Sequence, residues 1–299
     1  RTNPPTRANC LYCGAAFEVT EQNAFQSVPA PQPEKSSENT LHIVALPAPA
    51  QPDDPLSEIA ESLNIPPREL SSLISGSIGA PVFAANSEPQ AQIVSEKLRE
   101  RGLTTIIISD EQLAVQVAPK EIGALEAQGD CVVGNARRGG ERIIAQWTDI
   151  VLIVVGRLYF ATSEIDQKGS RSKRIIDERE MLTDETVLDL YLRDDAIGWR
   201  IRAGSFDFSC LGADKQLTAF ANFNALTELL RERATNAVYD DSYLRLRGAL
   251  NNVWPAEQRP GAKVKRRTAF GGFDLSATIT DNELQFTRYS RLLAYLRMS

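Results

Sequence analysis

Residues Trp147 to Cys210 decide the fold of this chain. They begin with WTDIVLIVVGRLYFATSE (147–164) and end with TVLDLYLRDDAIGWRIRAGSFDFSC (186–210). Short apolar runs rich in Val, Ile, Tyr and Phe, separated by polar turns, are typical of consecutive antiparallel strands. The following segment, 217–254, carries apolar residues at helical spacing. The pattern therefore predicts a small barrel or strongly bent sheet that is closed by a C-terminal helix.

The bulk composition limits the classes of protein that this chain can represent. Its 299 residues indicate two or three folding units. The net charge of −6 argues against attraction of the whole molecule to nucleic acid or to an anionic membrane, although local basic patches stay open. The longest apolar run, 150–155, is far shorter than the roughly 20 residues that span a bilayer. We expect no transmembrane segment.

Cysteine and histidine usage further restricts the chemistry. The four cysteines are too few and too scattered for a secreted disulfide scaffold, so we expect a reducing compartment and a cytoplasmic protein. Peripheral association with the inner face of the membrane remains an alternative. The single histidine, His42, leaves little material for acid–base catalysis, and we expect it to be a bystander. Because no nucleophile set converges either, we predict that the protein is not an enzyme.

The N-terminal segment, 1–18, contains the only metal motif. Cys10 and Cys13, followed by Gly14, look like the first half of a zinc ribbon, in which two thiolates on a tight turn bind one side of the ion. The second CxxC pair is absent. Cys131 and Cys210 would complete the site only if the fold brought both beside this knuckle. Zinc is therefore the one candidate cofactor, and a metal-free turn is the alternative reading.

The segment 19–55 is rich in Pro, Ala, Ser and Gln, which predicts a linker or a tail that wraps a partner. Within it, 41–46 is expected to add as an edge strand or to dock as a peptide. The next unit, 56–118, begins with two short helices joined at Asn64, the first capped by Ser57. It continues as a strand, a helix ended by Gly102 and a second strand, the half-module of a ferredoxin-like sandwich.

The third unit, 119–256, contains the predicted barrel and two groups of basic residues. Arg137 and Arg138 stand in a Gly-rich turn between strands. The charged insert 166–184 is expected to be an exposed loop. Its basic residues are a candidate surface for an anionic lipid or an acidic partner. These residues are Lys168, Arg171, Lys173 and Arg174.

The last segment, 257–299, is predicted to be a basic linker followed by an amphipathic helix over 284–298. The linker adds four more basic residues to the candidate partner or lipid surface: Lys263, Lys265, Arg266 and Arg267. The helix has an apolar stripe with Arg288, Arg291 and Arg297 around it. Such a helix binds a partner groove or an anionic membrane, or it packs back on its own barrel.

The strand rhythm of 120–255, with its closing helix, resembles bacterial pleckstrin-homology-like domains. That resemblance implies a scaffold that docks proteins, peptides or phospholipid heads and has no chemistry of its own. Lipid-binding members of the family place several basic residues in an early loop, and here only Arg137 and Arg138 match. The knuckle and barrel together resemble uncharacterised bacterial proteins.

These observations predict a multi-module α+β protein with a ferredoxin-like unit, a pleckstrin-homology-like barrel and extended termini. The function that they favour is a non-catalytic adaptor or accessory protein that docks onto a larger assembly. One alternative is a peripheral subunit of a membrane-embedded complex, attached by the basic C-terminal tail. Another is a zinc-ribbon regulator that binds nucleic acid through 1–18 and 56–74, although nucleic acid is the less expected partner.

Overall fold

The computed structural model describes much of the chain from residue 40 onward. The described residues are 20, 24–25, 40–47, 53–76, 78–138, 140–168, 174–261, 264–268 and 271–298. For 53–55, 164–168, 174–180, 264–268 and 271–277 only the backbone is described. The CxxC knuckle and most of the Pro-rich segment lie outside these residues.

The first part of the fold is a small three-stranded sheet covered by helices. Its elements in chain order are β1 (Leu41–Ala45), α1 (Asp53–Leu63), α2 (Pro67–Ile74), β2 (Ala80–Ala85), α3 (Glu88–Glu100) and β3 (Thr105–Ser109). The strand order is β2-β1-β3, and β1 is antiparallel to both neighbours. The predicted β-α-β unit is therefore present, with β1 inserted between its strands.

The expectation that 41–46 forms an edge strand was wrong, because β1 is the central strand. Consecutive residues of a strand point to opposite faces, and His42, Ile43 and Val44 are all buried. Both faces of β1 are thus covered, which suits a middle strand.

Local signals explain where the helices of this part begin and end. Asn64 takes the positive φ of 53° between α1 and α2, at the predicted joint. Ser87 caps α3 by accepting a hydrogen bond from the backbone N–H of Gln90, and Gly102, with φ of 91°, follows its last turn. Ser57 does not cap α1, which begins four residues earlier at Asp53.

The second part is a large mixed sheet with three helices. Its elements are β4 (Lys120–Gln128), β5 (Cys131–Ala136), β6 (Arg142–Gln146), β7 (Ile150–Lys168), β8 (Arg174–Leu192), β9 (Asp195–Arg202), α4 (Ala219–Arg233), β10 (Val238–Asp240), α5 (Tyr243–Leu250), β11 (Glu257–Pro260), β12 (Val264–Thr268), β13 (Gly271–Asp281) and α6 (Glu283–Met298). The strand order is β11-β13-β7-β8-β9-β4-β5-β6, with β10 beside β7 and β12 beside β13.

The mixed α+β class predicted from the sequence is confirmed, but closure into a pleckstrin-homology-like barrel is not. Two antiparallel meanders, β4-β5-β6 and β7-β8-β9, are joined by a short parallel contact between Lys120–Glu121 and Trp199–Arg200. Among the described pairings, β6 and β11 stand at opposite ends of the sheet. Helix α4 packs on the inner strands through Phe223, Leu226 and Leu230.

Two segments that were expected to be irregular form strands. Residues 166–168 and 174–184 of the insert extend β7 and β8 as paired strands, and 257–260 pairs with β13. If a long charged run between two strands stayed a loop, its backbone N–H and C=O groups would have no partners within the sheet. Pairing as strands of a hairpin gives these groups hydrogen-bond partners.

Helix α6 packs back on its own protein, which was one of the two arrangements considered for it. It is buried on nearly all sides from Gln285 to Ala294. Arg288 forms a bidentate pair with Asp110, and Arg291 donates to the backbone carbonyls of Leu113, Ala114 and Val117. These two arginines point into the protein, so α6 does not present the basic amphipathic face that membrane or partner binding through this helix would require.

Strand β7 separates two hydrophobic cores. Leu152, Val154 and Leu158 face the core that contains α6 and the small sheet. Ile153 and Val155 face the core under α4. The tryptophans Trp147, Trp199 and Trp254 are buried in these cores. Inner β7 is thus covered on both faces and holds the two parts of the fold together.

His42 is a structural residue at the centre of the small sheet rather than a bystander. The indole N–H of Trp254 donates to His42 Nδ1 at 2.9 Å, and His42 Nε2 lies 2.8 Å from Asp110 Oδ1. Because an indole nitrogen only donates, Nδ1 must accept, and the ring is neutral with its hydrogen on Nε2. Burial lowers the pKa of His42. Burial would raise the pKa of Asp110, but hydrogen bonds from His42 and Arg288 bring it down to about 2.

A first prediction concerns the contact between β7 and α6. A methyl group at Gly156 would overlap the Phe286 ring, so Gly156→Ala should lower the free energy of unfolding by about 1–3 kcal/mol. Gly248→Ala in α5 is the control, because its methyl group meets no atom within 4 Å and should leave stability unchanged or raise it by up to about 1 kcal/mol. Urea unfolding checks both. Equal stability of the two variants would contradict this packing.

A second prediction concerns pH. The folded-state pKa of His42 lies below its unfolded value of 6.5, so the unfolded chain takes up the proton first as pH falls. The contribution of neutral His42 to the free energy of unfolding is therefore fully present above pH 6.5. It declines below that pH, by at most about 1.4 kcal/mol per pH unit for one proton. His42 is the only histidine, so His42→Gln should remove this slope between roughly pH 6.5 and 5. An unchanged slope in the variant would refute the assignment.

Candidate functional site

The outer half of the β7–β8 hairpin forms a separate feature, which we call the arm. Strands β7 and β8 have 19 residues each and are therefore about 60 Å long. Their inner halves are buried in the two cores. The arm comprises 161–168 of β7, 174–183 of β8, 271–280 of β13 and all of β12.

Neither face of β8 is covered in the arm at Met181 and Leu182. Neighbouring residues of a strand point to opposite faces, yet Met181 is 69% exposed and Leu182 is 68% exposed. Thr183 and Asp184, the next residues toward the body, are exposed as well. This part of the sheet thus extends beyond the packed body with an apolar side chain on each face.

One edge of the arm is open as far as the described residues show. Strand β9 pairs with β8 only over Val187–Leu192. From Arg174 to Glu185, no strand in the described parts of the chain pairs with that side of β8. An open strand edge presents unpaired N–H and C=O groups to which another strand can add.

The far end of the arm brings together the two basic runs that the sequence singled out. In the sheet register, Lys168 lies opposite Arg174 on one side and Phe273 on the other, and Phe273 lies opposite Arg266. Lys265 and Arg267 flank Arg266 on β12. We define the arm tip as Lys168, Arg174, Lys265, Arg266, Arg267 and Phe273. The other predicted basic residues, Arg171, Lys173 and Lys263, lie outside the described residues.

Acidic residues follow directly behind the arm tip. Asp274 lies opposite Lys265, and Asp166 lies opposite Asp177. Glu178 and Glu180 are the next acidic positions of β8. Lys265, Arg266 and Arg267 stand in three successive rows, so the basic region is a cap roughly 7 Å deep along the strands, on a ribbon of mixed charge.

Arg137 and Arg138 are exposed in the turn after β5, as predicted, but the sheet order separates them from the arm tip. Strands β9 and β4 stand between β5 and β8. Arg137 lies 3.6 Å from the Glu121 carboxylate, which also receives a hydrogen bond from Arg202. The structure thus gives Arg137 an acidic neighbour and does not join the turn to the other basic positions.

The described cysteines occupy separate sites. The Cys131 thiol donates to the Gln128 carbonyl at 3.2 Å. Burial raises the pKa of the Cys210 thiol, which favours its protonated form. Within the described residues, no group of three or more His, Cys, Asp or Glu side chains is placed to hold a metal ion. Cys10 and Cys13 lie outside those residues, so zinc binding at the knuckle stays a prediction.

A groove of about 250 Å³ lies between the 115–119 loop and the start of α6. Three of its charged residues, Arg259, Asp281 and Glu283, are paired with protein groups. Arg259 lies 2.8 Å from Asp281, and Glu283 accepts hydrogen bonds from Arg200 and Arg202. Because these charges are already partnered, the groove offers less for a ligand than the arm does.

No family model, curated protein or solved structure gives a significant match to this chain. Among the described helices, none combines the length and the apolar character that crossing a bilayer requires.

Sequence reasoning identified the basic positions of the arm tip but missed Met181, Leu182 and Phe273. Met181 and Leu182 are two adjacent apolar residues inside a charged insert, which is a weak signal. Phe273 follows two glycines and gains its place only through pairing with Lys168.

A third prediction tests whether the arm stands clear of the body. Met181→Glu with Leu182→Glu should change the free energy of unfolding by no more than about 0.5 kcal/mol, because both side chains are already exposed. Leu188→Ala, a buried position of the same strand, should cost about 2–5 kcal/mol. Urea denaturation of each variant gives the comparison. A strongly destabilised double variant would show that the arm packs against the body.

Proposed function

We propose that this protein is a non-catalytic adaptor that docks onto a larger assembly through the arm. The observation that carries the proposal is the exposure of Met181 and Leu182 on opposite faces of a strand whose edge is open. A packed body with a projecting ribbon of this kind has the form of a docking element.

The chemistry of the arm supports a protein partner that adds a strand. Native proteins usually cover or shorten an open edge because it templates pairing with other chains. Here about twelve residues of β8 have no strand beside them among the described residues, and their backbone groups would pair with an extended segment of the partner. Met181 and Leu182 would then contact the partner's side chains above and below the shared sheet.

The proposed absence of catalysis rests on the position of His42. It is fully buried, and both ring nitrogens are engaged by Trp254 and Asp110. The imidazole therefore has no free nitrogen for a substrate proton, which agrees with a docking role.

A second candidate is a peripheral subunit of a membrane-embedded complex on the cytoplasmic face. The sequence suggested attachment through the basic C-terminal tail, but helix α6 of that tail cannot provide it because α6 is buried. The observation that favours the candidate is the convergence of both basic runs at the arm tip. The third candidate, a zinc-ribbon regulator, depends on residues 1–18, which are not described.

A fourth prediction tests the adaptor proposal directly. A photo-crosslinking amino acid at position 181 of the full chain should capture the same partner repeatedly in cells, and open-edge docking places that position in the contact. The same probe at position 217 is the matched control, since Leu217 is a fully exposed apolar residue outside the arm. Capture of one identified partner at 181 and not at 217 supports the proposal. Equal capture at both positions, or none at 181, would count against it.

A further inference from the structure

We infer that the arm tip binds the surface of an anionic phospholipid bilayer. This inference is separate from docking through the open edge, because apart from Arg174 it uses different residues of the arm. It also moves the site of membrane contact from the C-terminal helix to the paired ends of β7, β8, β12 and β13.

The first support is the separation of charge along the molecule. The arm tip carries five basic residues, whereas the whole chain carries a net charge of −6. The tip and the remainder therefore have opposite signs. Each Lys or Arg near an anionic leaflet raises the partitioning of a protein from water to the membrane surface about fivefold. A group of five therefore gives substantial attraction.

The second support is the length of the arm. Charges in physiological salt are screened over about 8 Å. The outer eight residues of β7 span about 26 Å of strand, so the inner end of the arm is several screening lengths along the strand from the tip. The acidic positions nearest the tip are those of the arm itself, among them Asp166, Asp177 and Asp274. The arm thus permits contact by the basic tip without strong repulsion of the body.

The third support distinguishes a bilayer from a nucleic acid. A ribbon that reads a nucleic-acid groove lies along it, and this would bring Asp166, Asp177 and Glu178 close to the phosphates. The basic residues of the arm tip occupy three successive rows near its end, which suits end-on contact with a flat surface. Phe273, in the same row as Lys168 and Arg266, adds an aromatic side chain of the kind found at membrane interfaces.

The test measures binding of the full-length protein to phosphatidylcholine vesicles with and without phosphatidylglycerol. The variant is the triple charge reversal Lys265→Glu, Arg266→Glu and Arg267→Glu. The matched control reverses three exposed arginines around the β5–β6 turn: Arg137→Glu, Arg138→Glu and Arg142→Glu. Circular dichroism shows that each variant is folded.

We expect the wild type and the control variant to bind vesicles that contain phosphatidylglycerol in a salt-sensitive way. Neither should bind vesicles of phosphatidylcholine alone. The triple variant should bind at least about a hundredfold more weakly, since each of the three lost positive charges accounts for about fivefold and the three new carboxylates add repulsion. Unchanged binding by the folded triple variant, or equal loss in the control, would overturn the inference. Tighter binding to a DNA duplex at the same salt would overturn it as well. Failure here leaves crosslinking at position 181 unaffected, so the two proposals fail independently.

Discussion

The fold depends on the burial of α6 between the small sheet and β7. Burial of a guanidinium lowers stability unless its N–H groups find hydrogen-bond acceptors. Both inward arginines of α6 find acceptors on the side of the small sheet. Arg288 binds Asp110, which also holds His42, and Arg291 binds the backbone carbonyls that follow β3. These bonds fix the orientation of α6, and the Phe286 ring then fits against Gly156 of β7. The small sheet and the large sheet share one core as a result.

This arrangement gives the two halves of the β7–β8 hairpin different roles. The inner half is held on both faces, and Arg200 is bound there by Asp189 through two hydrogen bonds of 2.8 Å and stacks over Phe286 at 5.0 Å. The outer half has no such cover at Met181 and Leu182. A rigid base and an open end are what a docking arm requires, because the base fixes the direction in which the end is presented.

Local patterns predicted much of the secondary structure, and long-range contacts decided the rest. The joint at Asn64, the end of α3 at Gly102 and the existence of α6 follow from neighbouring residues. The burial of α6 does not, because Arg291 binds a carbonyl that lies 178 residues earlier in the chain. The same limit applies to the candidate site. Lys168 and Arg266 were recognised as basic positions, but only the pairing of β7 with β13 and of β13 with β12 places them in one row.

Hydrogen–deuterium exchange of the full-length protein, with and without anionic vesicles, tests the central claim that α6 is a core element and the arm is the part that docks. The account predicts slow exchange along Gln285–Ala294 in both states, because this helix is buried in the free protein. It predicts added protection on vesicles only at the end of the arm, in 164–168, 174–180, 264–268 and 271–277. Fast exchange of α6 in the free protein, with protection that appears only on vesicles, would contradict the account and restore the helix as the membrane contact.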